Sequence, residues 1–500
     1  MVVKTVAECN VDAVQQHVTE TALWIGQAVL DGTSAHDVER TLLRRVLAMG
    51  TLLFKDFLQK VGPGDLGPAM TLEDGQVVNR STEQHTRRLV SVFGELSISR
   101  YVYAERQGQK IKLIPTDQRL QLPQSDVSYL LQEWDQMLGV EHAFGKVAQT
   151  LGAIIGLEQP VDTVERGNRQ MAEAAPAFRA AQPAPDPKAE GAILVATEDN
   201  KGVPMVRPVQ SAPAGAHRKK GEKANKKQMA CIGCVYTVNP HVRTPEELIA
   251  VLFRDPGRRP KDPPHAIQKR YWAGLTRQTP QRTVAQSEVF QHVAKDVALR
   301  RKPDQVLVHL CDGQRSLETD RDQYLPRDDQ TVDILDLMHV LPRLWEAAHL
   351  FHAERSDAAK QFVRERLPYL LNGCTPAAIT ELRQMGAEHR LRGVQATRLK
   401  KLCAFLENNL HRMKYDEYLA AGYPIATGVI EGACRYVIKD RMERAGMRWK
   451  VPGAHAMLQL RTISVNGDWE PFLAFRIQQE NLRLYPHKEV VESVPWPFAA

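Results

Sequence analysis

The stretch A-I-L-V-A-T-E-D-N-K-G-V-P-M (residues 192–205) predicts a buried β-strand that ends in two acidic residues. Its apolar run follows a Pro/Ala-rich segment and leads into an Asn-Lys-Gly-Val-Pro turn, as expected of a strand with turn residues on both sides. Asp199 therefore falls at the carboxyl end of a strand, where α/β sheets place their sites. Turn formation also explains an aspartate here, since its side chain can bond to nearby backbone.

Two further acidic residues occupy comparable positions. The run V-L-V-H-L-C-D-G (306–313) predicts a second strand ending at Asp312, and T-G-V-I-E-G-A-C-R (427–435) predicts a helix with Glu431 in its opening turn. Structural roles explain each residue singly, because Asp312 precedes a glycine turn and Glu431 lies near a helix N-terminus, four residues before Arg435. Together, the three carboxylates are typical of a two-metal site for phosphoryl transfer.

A second pair follows the next predicted strand, T-V-D-I-L (331–335). Asp336 and His339 form the motif D-L-M-H, and a helix would set them on one face at positions i and i+3. His339 is then able to reach a phosphate, or a flipped base or end nucleotide, near the metal site. The alternative is a histidine that caps or bridges helices.

The pattern of apolar residues predicts a multidomain α/β protein. Strands alternate with helices after residue 190, which indicates an α/β layer. The helix-only stretch after residue 340 separates that layer from the helix with Glu431. The predicted segments are an N-terminal helical region (1–90), a β-hairpin from G-E-L-S-I-S-R-Y-V-Y to K-I-K-L-I (91–125), a helix-turn-helix-like domain (126–178), a linker (179–190), the first part of the α/β core (191–340), a helical insertion (341–424) and the last core helix with the C-terminal tail (425–500).

The helix-turn-helix-like segment is a candidate DNA-binding element. A helix ends at Gly156, and a second helix begins near Asp162 and carries Arg166, Asn168 and Arg169. Such a pair can place its second helix in the major groove. Helix pairs of this kind also occur in proteins that never contact DNA.

Composition favours a polyanionic partner. The 500-residue chain has a formal charge of +7, and residues 201–227 hold eight Lys/Arg against one acid. Clustered positive charge attracts polyanions, although such runs are also found as solvated loops. Seven scattered cysteines suit a reduced cytoplasm. Cys231 and Cys234 form a C-x-x-C without a second pair, which suggests a buried strand rather than a metal or redox site. No membrane span and no nucleotide cofactor are expected.

The ordered motifs D-N-K-G-V-P-M, C-D-G, D-x-x-H, W-E-A-A-H and G-x-I-E-G-A-C-R resemble the DDE transposases of bacterial insertion sequences. The match is best to the Kra-type group, whose D-x-x-H signature is similar to that of the Mutator and hAT superfamilies. The resemblance covers about residues 90–465. It implies an RNase H-like catalytic core with an all-α insertion, metal ligands at Asp199, Asp312 and Glu431, and an accessory pair at Asp336 and His339.

The sequence departs from the family pattern in two places. Asn200 stands where relatives often carry glycine, and Glu198 precedes the aspartate. Because adjacent strand residues face opposite sides, only one of Glu198 and Asp199 can face the metals. We choose Asp199, which keeps the spacing to G-V-P-M. Residues 95–125 lack the cysteine pairs of a zinc ribbon, so no structural zinc is expected.

The resemblance implies a transposase that cuts element ends and joins the 3′-hydroxyls to target DNA. Oxygen ligands favour two Mg²⁺ or Mn²⁺ ions. The expected partners are the terminal inverted repeats, the target DNA and at least a second copy of the chain, since two ends must be held together. We expect a cytoplasmic, nucleoid-associated protein. The cations expected to bind DNA phosphates are Lys219, Lys220, Arg392, Arg398, Lys400, Lys401, Arg435, Lys439, Arg441, Arg444 and Arg448.

Two alternatives remain at this point. An RNase H-like endonuclease would cut DNA without joining strands. A regulator derived from a transposase would bind DNA without catalysis, although the presence of all three acids argues against it.

Overall fold

The computed structural model describes residues 11–106, 108–206, 227–256, 262–278, 283–284, 286–426, 428–444 and 446–496. Lys219 and Lys220, predicted to bind DNA, lie outside these ranges. The helices are α1 (Val11–Leu30), α2 (Ala35–Val61), α3 (Pro115–Leu120), α4 (Tyr129–Gly139), α5 (Phe144–Ile155), α6 (Val161–Ala172), α7 (Ala175–Ala181), α8 (Pro245–Leu252), α9 (Ser287–Arg300), α10 (Arg315–Tyr324), α11 (Leu337–Phe351), α12 (Asp357–Leu371), α13 (Thr375–Glu388), α14 (Gly393–Asn408), α15 (Tyr415–Ala420), α16 (Gly428–Ala433), α17 (Asp440–Met442), α18 (Val451–Val465), α19 (Trp469–Leu484) and α20 (Lys488–Ser493).

The strands complete a mixed α/β structure, which confirms the predicted fold class at this level. Two 3₁₀ turns (Pro187–Ala189 and Leu410–Arg412) and a π-helix (Cys434–Lys439) join the regular elements. The strands are β1 (Ala69–Thr71), β2 (Val77–Arg80), β3 (His85–Ser91), β4 (Gly94–Arg100), β5 (Tyr103–Ala104), β6 (Ile193–Pro204), β7 (Lys227–Val238), β8 (Ile267–Leu275), β9 (Arg277–Gln278), β10 (Thr283–Val284), β11 (Leu307–Cys311) and β12 (Thr331–Leu335).

The chain divides into two compact units. Unit 1 combines Met1–Phe178 with Asp468–Ala500, and unit 2 is Arg179–Gly467. The division falls at the first residue of the predicted linker. The predicted last segment (425–500) is divided between the units, because residues from Asp468 onward group with unit 1. Within unit 1, Val491 packs into a cluster with Met70 and Tyr103.

Unit 1 corrects the predicted N-terminal region and its hairpin. Helices α1 and α2 form the predicted N-terminal helical region as far as Val61, and the rest of residues 1–90 contains strands β1 and β2 and most of β3. The predicted hairpin paired β4 with the segment K-I-K-L-I, but β4 pairs with β3 instead. The K-I-K-L-I segment makes only an isolated β-bridge, from Leu113 to Tyr103. The turn between β3 and β4 closes on Gly94, whose φ of +107° is accessible to glycine.

The helix-turn-helix-like pair forms α5 and α6. Gly156 caps α5 in a left-handed conformation with φ of +75°. Val164 and Met171 of α6 are buried, and Asn168 lies in phase with them. The Asn168 amide donates a hydrogen bond to Gln136 Oε1 at 2.8 Å. Asn168 is therefore a core residue, and its predicted contact with DNA is wrong, because a side chain with 1% exposure cannot reach a groove.

A five-stranded mixed sheet forms the centre of unit 2. Its strand order is β12-β11-β6-β7-β8, with the first three parallel and the last three antiparallel. One face packs on α9, where Val289 and Val293 meet Ala196. A Cβ at Gly233 of β7 would lie 2.7 Å from Val293, so this close helix–strand approach requires glycine.

The opposite face of the sheet carries the elements that follow the helical insertion. α16 contacts β6 and β7, and α18 packs on β8, where Gln459 donates a hydrogen bond to the Ala273 carbonyl at 3.2 Å. Cys231 and Cys234 are both buried in β7, three residues apart and thus on opposite faces. The two thiols accordingly do not form a chelating pair.

The described residues between Leu337 and Ala420 form helices and a 3₁₀ turn, with no strand. This block begins at the end of β12 and returns to it, because the Tyr415 hydroxyl donates a hydrogen bond to the Leu335 carbonyl at 2.8 Å. The return brings the chain back to the sheet edge before α16 begins.

Candidate functional site

Three aspartates lie level with one another on three neighbouring parallel strands. Asp312 and Asp336 directly follow β11 and β12, as predicted for Asp312. Asp199 lies inside β6 instead, because residues 200–204 continue the strand and its pairing with β7, so the predicted strand end and turn at Asp199 are wrong. β11 pairs with β6 up to Leu310–Thr197, and two residues further on the same register sets Asp312 beside Asp199. β11 pairs with β12 up to Cys311–Leu335, so the next residues are Asp312 and Asp336. Neighbouring strands are about 4.8 Å apart. The fold thus brings together two predicted ligands and one predicted accessory residue; we call these three aspartates the acid row.

Glu431 joins the acid row from α16. Ligand atoms of Asp336, His339 and Glu431 all lie within 4.8 Å of one another. This group unites the third predicted metal ligand with both members of the predicted accessory pair. Asp199 and Asp312 are outside it, although the charge of Asp199 acts on both Asp312 and Glu431.

Hydrogen bonds fix the accessory pair as the motif predicts. Asp336 is 1% exposed and caps α11, its Oδ1 accepting from the Met338 amide at 2.7 Å. Its Oδ2 accepts from Nδ1 of His339 at 3.2 Å. Since Nδ1 is engaged, Nε2 of the partly exposed imidazole is the nitrogen left to contact a ligand. Asp336 can therefore cap α11 while His339 contacts a ligand.

The electrostatics of the site favour a bound cation. Burial raises the pKa of Asp312, and the nearby Asp199 carboxylate adds to this. Burial also raises the pKa of Glu431, with Asp336 and Asp199 acting in the same direction. The hydrogen bond to Asp336 raises the pKa of His339. Carboxylates that repel one another in this way are stabilised by a positive charge among them.

The alternation of side chains along β6 determines which of Glu198 and Asp199 faces the acid row. Glu198 is 3% exposed, and its Oε2 lies 2.9 Å from Nε2 of His309 on the α9 side of the sheet. Asp199 lies on the α16 side, where the Cys434 thiol donates to its Oδ2 at 3.1 Å. The choice of Asp199 over Glu198 agrees with this arrangement.

Sequence reasoning missed the ionic network beneath the acid row. His309 Nδ1 lies 3.1 Å from Oδ1 of Asp333, which also accepts from Nε of Arg321 at 2.7 Å. Burial lowers the pKa of His309, but Glu198 and Asp333 more than offset this and raise it to about 9. The sequence did offer a signal for this network, since V-L-V-H-L and T-V-D-I-L each contain one ionisable residue in an apolar strand. These residues, His309 and Asp333, are direct cross-strand partners of β11 and β12.

A π-helix also lies next to Glu431 and was not predicted. Cys434–Lys439 continues directly from α16 and positions Cys434 against Asp199. π-Helical turns are rare and occur frequently at functional sites. Burial raises the pKa of the Cys434 thiol, so it remains a protonated donor to the carboxylate.

The predicted DNA-binding cations divide into exposed and buried residues. Arg441 is the exception to the prediction: it is 1% exposed, and its guanidinium lies 4.8 Å from the centre of the Trp449 ring. Burial against an aromatic ring excludes Arg441 as a phosphate contact. The exposed members are Arg166, Arg169, Arg392, Arg398, Lys400, Lys401, Arg435, Lys439, Arg444 and Arg448.

The side chains present fit divalent cations. Carboxylate oxygens are the ligands that Mg²⁺ and Mn²⁺ prefer, and Asp199, Asp312 and Glu431 supply them. Histidine that ligates a metal or contacts an anion commonly has its other nitrogen held by a carboxylate, as Asp336 holds His339. No family model matches the chain, and a search of the curated proteins finds no match. Among the described residues, no helix combines the length and apolar character required to cross a membrane.

Proposed function

We propose that this protein is a DDE-type DNA transposase that cuts the ends of a mobile element and joins them to target DNA. One observation carries the proposal: the acid row of Asp199, Asp312 and Asp336, level with one another on three neighbouring parallel strands, meets Glu431 on a helix more than 90 residues later in the chain. Four acids from four elements, converging beside His339, match the demands of phosphodiester chemistry.

The fold around the site supports an RNase H-like core as part of the proposal. Three antiparallel strands, β6 to β8, are followed by two strands parallel to β6. Asp199 lies within β6, and Asp312 and Asp336 directly follow the two later strands. The helical block between β12 and α16 corresponds to the insertion that the motif resemblance implies. Its return to β12 through Tyr415 accounts for the delivery of Glu431 to the same edge.

Each side chain has a separate task in the proposed reaction. Asp199, Asp312 and Glu431 hold two Mg²⁺ or Mn²⁺ ions, which when bound supply an activated water or 3′-hydroxyl and neutralise charge on the leaving oxygen. Cys434 orients the Asp199 carboxylate by donating to Oδ2. Asp336 holds the imidazole of His339, whose raised pKa keeps it available as a cationic donor to a phosphate oxygen.

DNA contacts in the proposal come from exposed cations of both units. Arg435 and Lys439 lie within two turns of Glu431, and both are exposed. Arg166 and Arg169 are exposed on α6, and we assign recognition of the element ends to them. Loss of any one phosphate contact is expected to weaken binding across sequences and to lower the salt dependence. Two ends must be held together, so we propose a dimer or larger assembly.

The test is a joining reaction with purified full-length protein. A plasmid carrying the reading frame with its native flanking DNA is incubated with a second, target plasmid in Mg²⁺ or Mn²⁺, and the junctions are sequenced. Asp312→Asn keeps the size of the side chain but removes its charge, so it should abolish cleavage and joining. Asp329→Asn changes an exposed aspartate outside the site and serves as the matched control.

Three outcomes distinguish the candidate functions. Joined products that require Asp312 support the transposase. Cleavage without joining would identify an endonuclease, and DNA binding without metal-dependent cleavage would identify a regulator. Equal cleavage by wild type and Asp312→Asn would show that the acid row is not the catalytic site.

A further inference from the structure

A second site lies on the other face of β11 and β12, away from the acid row. There a cavity of about 830 Å³ opens between these strands, α10 and α14. This volume falls in the range of ligand sites for small molecules. We call it the α10–α14 cavity. Its lining includes Arg315, Arg321, Lys401, Phe405, Asn409 and Arg412.

The acids of the α10–α14 cavity are already neutralised by cations. Glu318 accepts from Arg412, and Asp333 is paired with both His309 and Arg321. The remaining acids of the lining are paired as well, Asp322 with Arg327 and Asp328 with Arg301.

Two cations of the lining are left over. Within the described part of the chain, Arg315 and Lys401 have no carboxylate at ion-pairing distance, and both are exposed to the cavity opening. The surplus charge is therefore positive.

Buried polar atoms of the lining also lack partners. Arg412 is 7% exposed and Arg321 is 4% exposed, yet Arg412 Nε and Arg321 Nη1 have no hydrogen-bond acceptor among the described residues. Oδ1 of Asp322 lies 3.9 Å from Arg321 Nη1, too far for a hydrogen bond. Asn409 Oδ1 is a buried acceptor without a donor in the same part of the chain. Buried charged donors are normally satisfied, so the two guanidinium nitrogens point to an anionic ligand that accepts from them, whereas Asn409 Oδ1 requires a donor.

We propose that the α10–α14 cavity binds a nucleotide, with its phosphate on Arg321, Arg412 and Lys401 and its base against Phe405. The partly buried Phe405 ring contacts the Arg343 guanidinium at 5.1 Å, and aromatic rings are the usual platforms for bases. Asn409 Oδ1 is the acceptor for an amino group of the base. This proposal rests on the proposed function in taking DNA as a source of the nucleotide.

The position of the cavity suits a DNA strand that passes the acid row. Gly313 lines the cavity and directly follows Asp312, with φ of +80° carrying the chain from one face to the other. Consecutive Cα atoms are about 3.8 Å apart, so the backbone that lines the cavity at Gly313 directly adjoins the acid row at Asp312. The nucleotide bound in the cavity belongs either to such a DNA strand or to the pool of free nucleotides. The same side chains would recognise it in both cases.

The test measures binding to the full-length protein without divalent metal. Deoxyadenosine monophosphate and a short single-stranded oligonucleotide are titrated separately by calorimetry. Lys401→Ala and Phe405→Leu are each expected to weaken binding about tenfold, a change of about 1.4 kcal/mol. Lys360→Ala, an exposed lysine of α12 outside the cavity, is the matched control and should bind as wild type does. Circular dichroism and thermal melting confirm that each variant is folded.

The outcomes separate the two sources of the nucleotide and the two proposals. Binding of both probes that Lys401→Ala and Phe405→Leu weaken identifies a free nucleotide as sufficient. Binding of the oligonucleotide alone that the same two variants weaken identifies DNA, and either result supports the site. Absence of binding, binding that Lys401→Ala leaves unchanged, or equal weakening by Lys360→Ala and Lys401→Ala overturns it. If binding depends on Lys401 while no metal-dependent cleavage occurs, the nucleotide site is supported and the proposed transposase function is overturned. Cleavage that needs Asp312 without cavity binding would support the transposase and overturn the nucleotide site.

Discussion

Replacing His309 with glutamine is expected to destabilise unit 2 in a manner that depends on pH. The imidazole is 2% exposed and links β11 to β6 through Glu198 and to β12 through Asp333. Arg321 from α10 is the other charged group bound to Asp333. Glutamine is neutral and cannot replace both ion pairs, so the buried Glu198 carboxylate is left without its cation and Asp333 keeps only Arg321.

The magnitude follows from the pKa of His309. Folding raises this pKa from 6.5 to about 9, and each unit corresponds to about 1.4 kcal/mol, which gives about 3 kcal/mol of stabilisation. Because the folded pKa is the higher one, this stabilisation is fully present below pH 6.5 and is lost as the pH rises through 9. At pH 8.5 less than about 1 kcal/mol should remain.

The assay is urea unfolding of wild type and His309→Gln at pH 6 and pH 8.5, followed by hydrogen exchange in peptides of β6 and β11. At pH 6 the variant should lose about 3–5 kcal/mol, the usual cost of breaking a buried ion pair. At pH 8.5 the difference should shrink by about 2 kcal/mol. His349→Gln changes an exposed histidine of α11 and should leave the profile unaltered. The same stability difference at both pH values would refute a charged His309.

Three further predictions concern other residues. Burial raises the pKa of the Asp135 carboxyl to about 7, although Gln159 donates a hydrogen bond to it. Ionisation of Asp135 therefore destabilises unit 1 as the pH rises from 4 to 7. In thermal unfolding at pH 8, Asp135→Asn should stabilise the protein by up to about 4 kcal/mol. Asn168→Ala should cost about 1–3 kcal/mol of stability without changing sequence preference, whereas Arg169→Ala should weaken DNA binding in filter assays and leave stability unchanged. Mn²⁺ at 100 times its dissociation constant should stabilise wild type by about 2.7 kcal/mol, and a Glu431→Gln variant that keeps this shift would count against Glu431 as a ligand.

The unit 2 sheet was the easier part to predict because its strands carry their signals locally. Long apolar runs end at Asp199 and Asp312, and the period of two in a strand sets adjacent side chains on opposite faces. The hairpin of unit 1 lacked such a signal. Its turn reads Ser-Val-Phe-Gly rather than Asn-Gly or Asp-Gly, so Gly94 was the single indication of where β3 reverses into β4.

Burial of polar residues on helices was the second source of error. Asn168 follows Val164 by four residues and precedes Met171 by three, so helical spacing already placed it on the buried face. Arg441 gave less warning, since its neighbours in space include Trp449 from beyond the helix end. A cation in a basic segment is exposed only if no aromatic or acidic partner from elsewhere covers it, and local sequence does not contain that information.

The adjacency of Glu198 and Asp199 connects the stability of the sheet to the chemistry of the site. Glu198 is anchored on one face by the His309 imidazolium, which holds the β6 backbone against β11. Asp199 shares that backbone on the other face and receives a hydrogen bond to Oδ2 from the Cys434 thiol. The carboxylate of Asp199 is therefore oriented by a neutral donor. Loosening His309 should consequently weaken Mn²⁺ binding, although His309 lies on the opposite face from the acid row.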